Sequence, residues 1–299
     1  MVPFTRRTVL GSLAASVIAP ATAAPAPLTR PIPSTGEAIP LVGLGSWITF
    51  NVGNDPVARA SCAEVMRAFF AAGGRMIDSS PMYGSSQPVI GEGLRKIGAT
   101  NVFSADKVWI SSPARGPAQI EASRAYWGVR TFDLLQVHNL LAWEEHLPML
   151  FAMKAEGRLR YAGITTSEGR RHGDFEKIMR AHPLDFVQLS YNILDREAEQ
   201  RILPLARDRG MAVIINRPFR EGDLIRRIMR KPLPPFASEI GATSWAQLIV
   251  KFIISHPAVT CVIPATTRVD HVRENVGAAH DPLPDAAMRA RIVQYVEKL

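Results

Sequence analysis

From residue 41 onward the chain repeats one pattern eight times: a short apolar run, then a longer segment with helical spacing. The runs fall at residues 41–44, 76–77, 102–103, 132–137, 161–164, 186–189, 212–215 and 259–263. Between them, Val65, Phe69 and Ala72, or Leu147, Leu150, Phe151 and Met153, mark the buried face of a helix. Strand then helix, repeated, dictates a parallel sheet, because parallel neighbours need a crossover and a helix is the compact way to make one. Eight units in 299 residues favour a closed (β/α)8 TIM barrel over an open doubly wound sheet. No GxGxxG follows the first run, which removes the usual reason to expect a Rossmann domain. Such barrels hold about 250 residues as one domain, and a 47% hydrophobic, 21% charged composition supplies an ample core.

Three segments fall outside the repeat. RPIPSTGEAIP, ahead of the first run, reads as a hairpin turning at Ser34, Thr35 and Gly36, placed to plug the barrel bottom. The connection over residues 218–257 is long enough to act as a lid or ligand clamp at the catalytic face. PDAAMRARIVQYVEKL reads as a closing amphipathic helix.

Residues 1–23, MVPFTRRTVLGSLAASVIAPATA, resemble a twin-arginine export signal: Arg6 and Arg7, then a weakly apolar stretch, then the small-x-small triplet Ala21-Thr22-Ala23. The layout implies recognition by the twin-arginine export machinery, cleavage near Ala23, a mature domain over residues 24–299 and a periplasmic or exported location. The apolar stretch is shorter than the ~20 residues that span a bilayer, so no stable membrane anchor is expected.

Charge and cysteines narrow the function. The formal net charge is +8, two of it in Arg6 and Arg7. The densest basic cluster, RRIMRK at residues 226–231, lacks the aromatics or motif of a nucleic-acid site, so it reads as a solvated face and no nucleic acid is expected. Cys62 and Cys261 form no CxxC pattern and read as buried free thiols. No cluster of metal-ligand residues is evident, and no metal is expected.

Four polar residues stand beside apolar runs, where a barrel gathers side chains at its C-terminal mouth: Asp78 and Tyr83 in MIDSSPMYG, Lys107 in SADKVW, His138 in LLQVHN. Adding hydride to a carbonyl builds negative charge on oxygen, so a proton donor must stand beside it. Tyrosine, with a pKa of about 10, is a poor donor unless a neighbouring ammonium favours its anion. Tyr83 is thus assigned as general acid, Lys107 as the group that lowers its pKa, Asp78 as partner of Lys107, and His138 as a hydrogen-bond donor orienting the substrate carbonyl.

The segments VGLGSW, MIDSSPMYG, SADKVW, LLQVHN, LRYAGITTS, VQLSYN and IPATTRVDHVRENVGA, in this order over residues 31–280, resemble the aldo-keto reductase superfamily. The resemblance implies an oxidoreductase acting on a small-molecule carbonyl, an aldehyde or ketone, with NADP(H) as cofactor and NAD(H) the less expected alternative. It implies that Gly45, Ser46, Asp78, Thr165, Thr166 and Gln188 surround the nicotinamide. Thr165 and Thr166 replace the family's common Ser-Asn pair, and Asn216 stands where many members have a stacking tyrosine. Arg217 or Arg220 is placed to reach the pyrophosphate, with a surface salt bridge as the competing account. At the adenine end the resemblance points to Thr266, Thr267 and Arg268 around a 2′-phosphate and to Glu274 and Asn275 at the base. Ala265 and His271 depart there from the usual lysine and arginine. Trp47 and Trp109, with His138, are expected to line the substrate pocket, and Trp143 is a further candidate. The alternative reading is an exported nucleotide-binding accessory or redox-sensing protein with little turnover.

Overall fold

The computed structural model describes Met1 and residues 26–299. The twin-arginine leader and the cleavage site near Ala23 lie outside the described residues. The hairpin comes first, β1 (Thr29–Pro31) antiparallel to β2 (Ala38–Pro40). Gly36 N–H donates to Ile32 O at 2.8 Å, and a positive φ of 76° lets the glycine close the turn.

Eight parallel strands follow: β3 (Leu44–Gly45), β4 (Met76–Asp78), β5 (Phe103–Val108), β6 (Phe132–Val137), β7 (Leu159–Thr165), β8 (Phe186–Ser190), β9 (Ala212–Asn216) and β10 (Cys261–Val262). They pair in chain order, and the ends of the sheet meet. Gly43 N–H donates to Val262 O at 2.8 Å, Val262 N–H to Leu41 O at 2.9 Å and Gly45 N–H to Pro264 O at 3.1 Å. Closure therefore takes up most of the first apolar run, leaving a regular strand of only two residues where residues 41–44 are expected. The third run, expected at residues 102–103, continues to Val108 and carries Lys107 inside the strand.

Helices cover the outside: α1 (Pro56–Ala71), α2 (Ser86–Ile97), α3 (Gly116–Trp127), α4 (Trp143–Ala155), α5 (His172–Ala181) and α6 (Ile202–Asp208), one after each of β3 to β8. α7 (Asp223–Ile228) and α8 (Trp245–Ile254) follow β9, α9 (Val269–Gly277) follows β10, and α10 (Ala286–Val296) closes the chain as expected. The long connection over residues 218–257 is thus largely helical. Asp55 starts α1 by accepting from Val57 N–H at 2.9 Å and Ala58 N–H at 3.2 Å, with Pro56 at the first helical position, where its missing N–H is not needed. No described helix is long and apolar enough to cross a membrane.

The period of two along each strand splits the core into two layers. Ile77, Leu135, Ile164, Val187 and Val213 face the helices. Met76, Phe103, Leu134, Tyr161, Phe186 and Ala212 face inward and pack with Ile32 and Ile39 of the hairpin, which plugs the bottom. Tyr161 joins the two parts: its hydroxyl lies 2.7 Å from Thr35 Oγ1 and donates to Glu37 at 3.0 Å. Continued two residues upward, the same alternation brings Asp78, Gln136 and Gln188 into the barrel, and four residues above Phe103 it brings Lys107. Cys62 and Cys261 are buried free thiols, as expected, and burial pushes both up, Cys62 to about 11.

α2 packs on α3 at Gly91, where an added β-carbon would meet the carbonyl oxygen of Tyr126. Alanine favours a helix over glycine by about 1 kcal/mol, whereas overlap with a neighbouring backbone costs about 1–3 kcal/mol. Gly91→Ala is therefore expected to lower the thermal unfolding midpoint by several degrees, read by circular dichroism; a raised midpoint would show that the two helices separate freely.

Candidate active site

Three neighbouring strands set the four candidate side chains. Asp78 ends β4, Lys107 is the penultimate residue of β5, and His138 directly follows β6. Tyr83 hangs from the turn after β4, in which Pro81 starts the bend and Tyr83 N–H donates to Ser80 O at 3.0 Å. Lys107 Nζ lies 5.4 Å from the centre of the Tyr83 ring. The His138 ring meets that of Tyr83 edge-on, with centroids 5.6 Å apart. All four expected residues converge.

The arrangement centres on a buried ion pair. Lys107 Nζ donates to Asp78 Oδ2 at 2.6 Å and to the Ser79 carbonyl at 2.8 Å. Gln188 Nε2 donates to Asp78 Oδ1 at 2.8 Å, and the Ser46 hydroxyl to the Asp78 carbonyl at 2.8 Å. Burial opposes the ammonium, but Asp78 outweighs it and Lys107 is held above its usual range. On the outer face of β5, Asp106 accepts from Gln87 Nε2 at 2.7 Å, Trp127 Nε1 at 2.6 Å and Lys107 N–H at 2.8 Å, which pins the strand at the residue before the lysine.

One electrostatic expectation is corrected. Tyr83 is pushed up to about 12, because burial outweighs the opposing pull of Lys107, and Asp78 and Asp106 add to the rise. The phenol is protonated at neutral pH, ready to donate but not acidified in the isolated site. His138 is driven down to about 2, first by burial and then by Lys107, so the imidazole is neutral. Its Nδ1 lies 2.7 Å from Ser80 Oγ, a partner the sequence reading passed over.

Tyr83 and His138 open into a cavity of about 330 Å³ whose wall includes Trp47, Ile48, Thr49 and Met82, within the range of small-molecule sites. Trp109 is a correction: it does not line this cavity, is 39% exposed, and has its backbone N–H and carbonyl tied to the Gln119 side chain at 2.7 and 2.8 Å. Trp143 packs edge-on against His182, on the helical layer. Ile48 and Met82 take the place expected for a second tryptophan; no motif marks them, since only the course of two loops brings them to the mouth.

Gly45, Ser46 and Gln188 line the cavity as expected. A β-carbon at Gly45 would stand 2.7 Å from the Ile263 carbonyl, so barrel closure itself demands glycine there. Thr165 and Thr166 fall outside this lining: Thr165 Oγ1, at the end of β7, accepts from Asn139 N–H of the segment after β6 at 3.1 Å, and Thr166 Oγ1 bonds the Glu168 backbone within its own loop at 3.2 Å. Ser167, one residue further, reaches the cavity wall instead. Asn216 also lines it, donating to Thr166 O at 3.2 Å and accepting from Ser190 Oγ at 2.6 Å.

Both arginines form salt bridges. Arg217 borders the cavity and pairs with Glu221 at 2.8 Å, and Arg220 is outside its lining, 3.2 Å from Asp195.

A second cavity of about 540 Å³ is lined by Thr266, His271, Glu274 and Asn275 together with Trp245 and Met229. The two cavities share Phe219, Gly222 and Ala265. Phe219 and Gly222 begin the connection read as a clamp, which therefore borders both. Thr267 and Arg268 are outside this lining; α9 begins at Val269, one residue after Arg268, and the guanidinium of Arg268 is taken by Asp270, with Nε to Oδ1 at 3.0 Å.

A parallel eight-stranded barrel with this cluster at its mouth defines a class of protein, and the comparisons agree. Residues 41–294 match the Aldo/keto reductase family, and the chain belongs to it. It is 24% identical to the NADH-specific methylglyoxal reductase of Escherichia coli (strain K12), over 86% of this chain and 94% of that protein. Its fold is similar to an aldo/keto reductase from Klebsiella pneumoniae in complex with NADP and acetate, with TM-score 0.74, 21% identity, and 87% and 93% of the two chains covered. It is also similar to the glycerol dehydrogenase of Gluconobacter oxydans, with TM-score 0.73, 20% identity, and 90% and 94% covered.

Removing one member of a buried ion pair strands the other. Lys107→Met is expected to cost about 3–5 kcal/mol of stability, and the double variant Asp78→Asn, Lys107→Met to recover most of it in chemical denaturation. Equal losses in the single and double variants would mean that the two charges are not coupled.

Proposed function

We propose that the protein is an oxidoreductase that reduces an aldehyde or ketone to the alcohol with a nicotinamide nucleotide, Tyr83 acting as general acid. The observation that carries this is the protonated phenol and neutral imidazole facing one cavity, with the Lys107 ammonium and Asp78 behind them. The Tyr83 hydroxyl gives its proton to the carbonyl oxygen as negative charge gathers there. Lys107 stabilises the phenolate left behind, Asp78 keeps Lys107 charged and in place, and His138 holds the carbonyl oxygen.

The residues fit a dinucleotide. The paired cavities give an elongated trough, one end at Gln188 and the other at Asn275. Gln188 has committed an amide hydrogen to Asp78 and keeps its carbonyl oxygen as acceptor for a carboxamide. When bound, the nucleotide supplies the hydride that the carbonyl carbon receives. NADP(H) is the nucleotide we assign, on Thr266 and the adjacent start of α9. Its margin over NAD(H) is narrow, because Asp270 occupies the guanidinium of Arg268 and Ala265 supplies no charge. The NADH-specific relative points to the same closeness.

The leader supports export to the periplasm, with the twin-arginine machinery as partner. Cell fractionation and N-terminal sequencing should recover a mature chain starting near Ala24; an uncleaved cytoplasmic chain refutes export.

Purified protein given a reactive aldehyde with NADPH or NADH should turn over with both, faster with NADPH, and Tyr83→Phe should lose about two or more orders of magnitude. With Tyr83 near 12 and His138 near 2, neither changes charge between about pH 5 and 9, so any inflection in reduction there should come from Asp106, which burial raises to about 7, and not from the two groups facing the cavity. Alcohol oxidation needs the phenolate and should quicken as pH rises through that window. Nucleotide binding without turnover would favour the accessory-protein reading instead.

A further inference from the structure

We propose that Ser80 is a positioning residue, whose hydroxyl holds His138 in the Nε2–H tautomer with that hydrogen aimed at the substrate oxygen. The inference rests on the carbonyl-reductase reading of the site. It follows from an accounting of protons. Ser80 is fully buried, and its Oγ has two partners: Nδ1 of His138 at 2.7 Å and the Met82 N–H at 3.2 Å. The amide can only donate, so it takes a lone pair of Oγ. One acceptor then remains for the serine proton among the described residues, the lone pair of Nδ1. With the other tautomer, two N–H donors would face Oγ and the serine proton would be buried without an acceptor.

The charge state agrees. Burial beside Lys107 keeps the imidazole neutral, so only one of its nitrogens carries hydrogen. Nδ1 is engaged by Ser80, and His138 lines the cavity with Tyr83. Nε2 is the nitrogen left to meet a carbonyl oxygen, and there it must donate.

Ser80 also acts on the general acid. Its carbonyl accepts the Tyr83 N–H at 3.0 Å, and Pro81 restricts its backbone to extended conformations. One residue therefore sets the spacing between the phenol and the imidazole, the two groups that must reach the same oxygen.

The test uses the whole protein labelled with 15N-histidine. The chain has seven histidines, and His138→Gln identifies the signal of His138 by its loss. Long-range 1H–15N spectra of the parent should show hydrogen on Nε2 only. In Ser80→Ala the Nδ1–H form should appear, with kcat lowered about tenfold and nucleotide affinity unchanged. Ser80→Thr, which keeps the hydroxyl, should retain the parental spectrum. Hydrogen on Nδ1 in the parent would overturn the proposal, as would an unchanged imidazole spectrum in Ser80→Ala, or a changed spectrum with unchanged kcat. Failure of the function reading looks different: the parent would reduce no carbonyl with either nucleotide, while the spectra still decide the tautomer.

Discussion

Lys107 reaches the middle of the barrel fully buried, and an ammonium can stand there only because Asp78 lies 2.6 Å away. Everything at the mouth is arranged about that pair. Gln188 and Ser46 hold Asp78 from one side, the Ser79 carbonyl takes a second hydrogen of Lys107, and Asp106 fastens the lysine's own backbone from behind. The pair crosses between β4 and β5, so it also ties the turn that carries Tyr83 to the neighbouring strand. A net-neutral buried pair leaves a directed field without the cost of a lone buried charge.

Burial acts on each titrating group in turn. It raises Tyr83 and lowers His138, so both groups facing the cavity are neutral, while Lys107 keeps its charge through Asp78. The phenol is a stored proton and the ammonium a stored charge. In the proposed mechanism the advantage of Lys107 is realised when the proton leaves, because the anion then forms next to a positive group that needs no reorganisation. This differs from a tyrosine already acidified in the resting site, the arrangement expected before burial was known.

Fold and site were legible to different depths. The eight apolar runs gave the barrel because the repeat is long and the right-handed crossover leaves few alternatives. Asp78, Lys107 and Gln188 were legible because a strand position specifies which way a side chain faces, and His138 because it directly follows a strand. Loop residues were less so: Trp109 and Thr166 were assigned by their distance from a strand, but a bend of one residue turned Thr166 away and presented Ser167. Arg217 and Arg220 offered charges whose partners, Glu221 and Asp195, only the folded loops bring near.

The sequence by itself determined the repeat, the plug hairpin, the candidate site residues and the strands they end or follow, since apolar periodicity and strand alternation are local properties of the chain. Tertiary structure alone decided the electrostatic balance and the company each group keeps. The pKa of Tyr83 depends on how completely α2, β5 and their loops exclude water. The pairing of Ser80 with His138, 58 positions apart, depends on the segments after β4 and β6 meeting across β5, a distance in space that spacing along the chain does not encode.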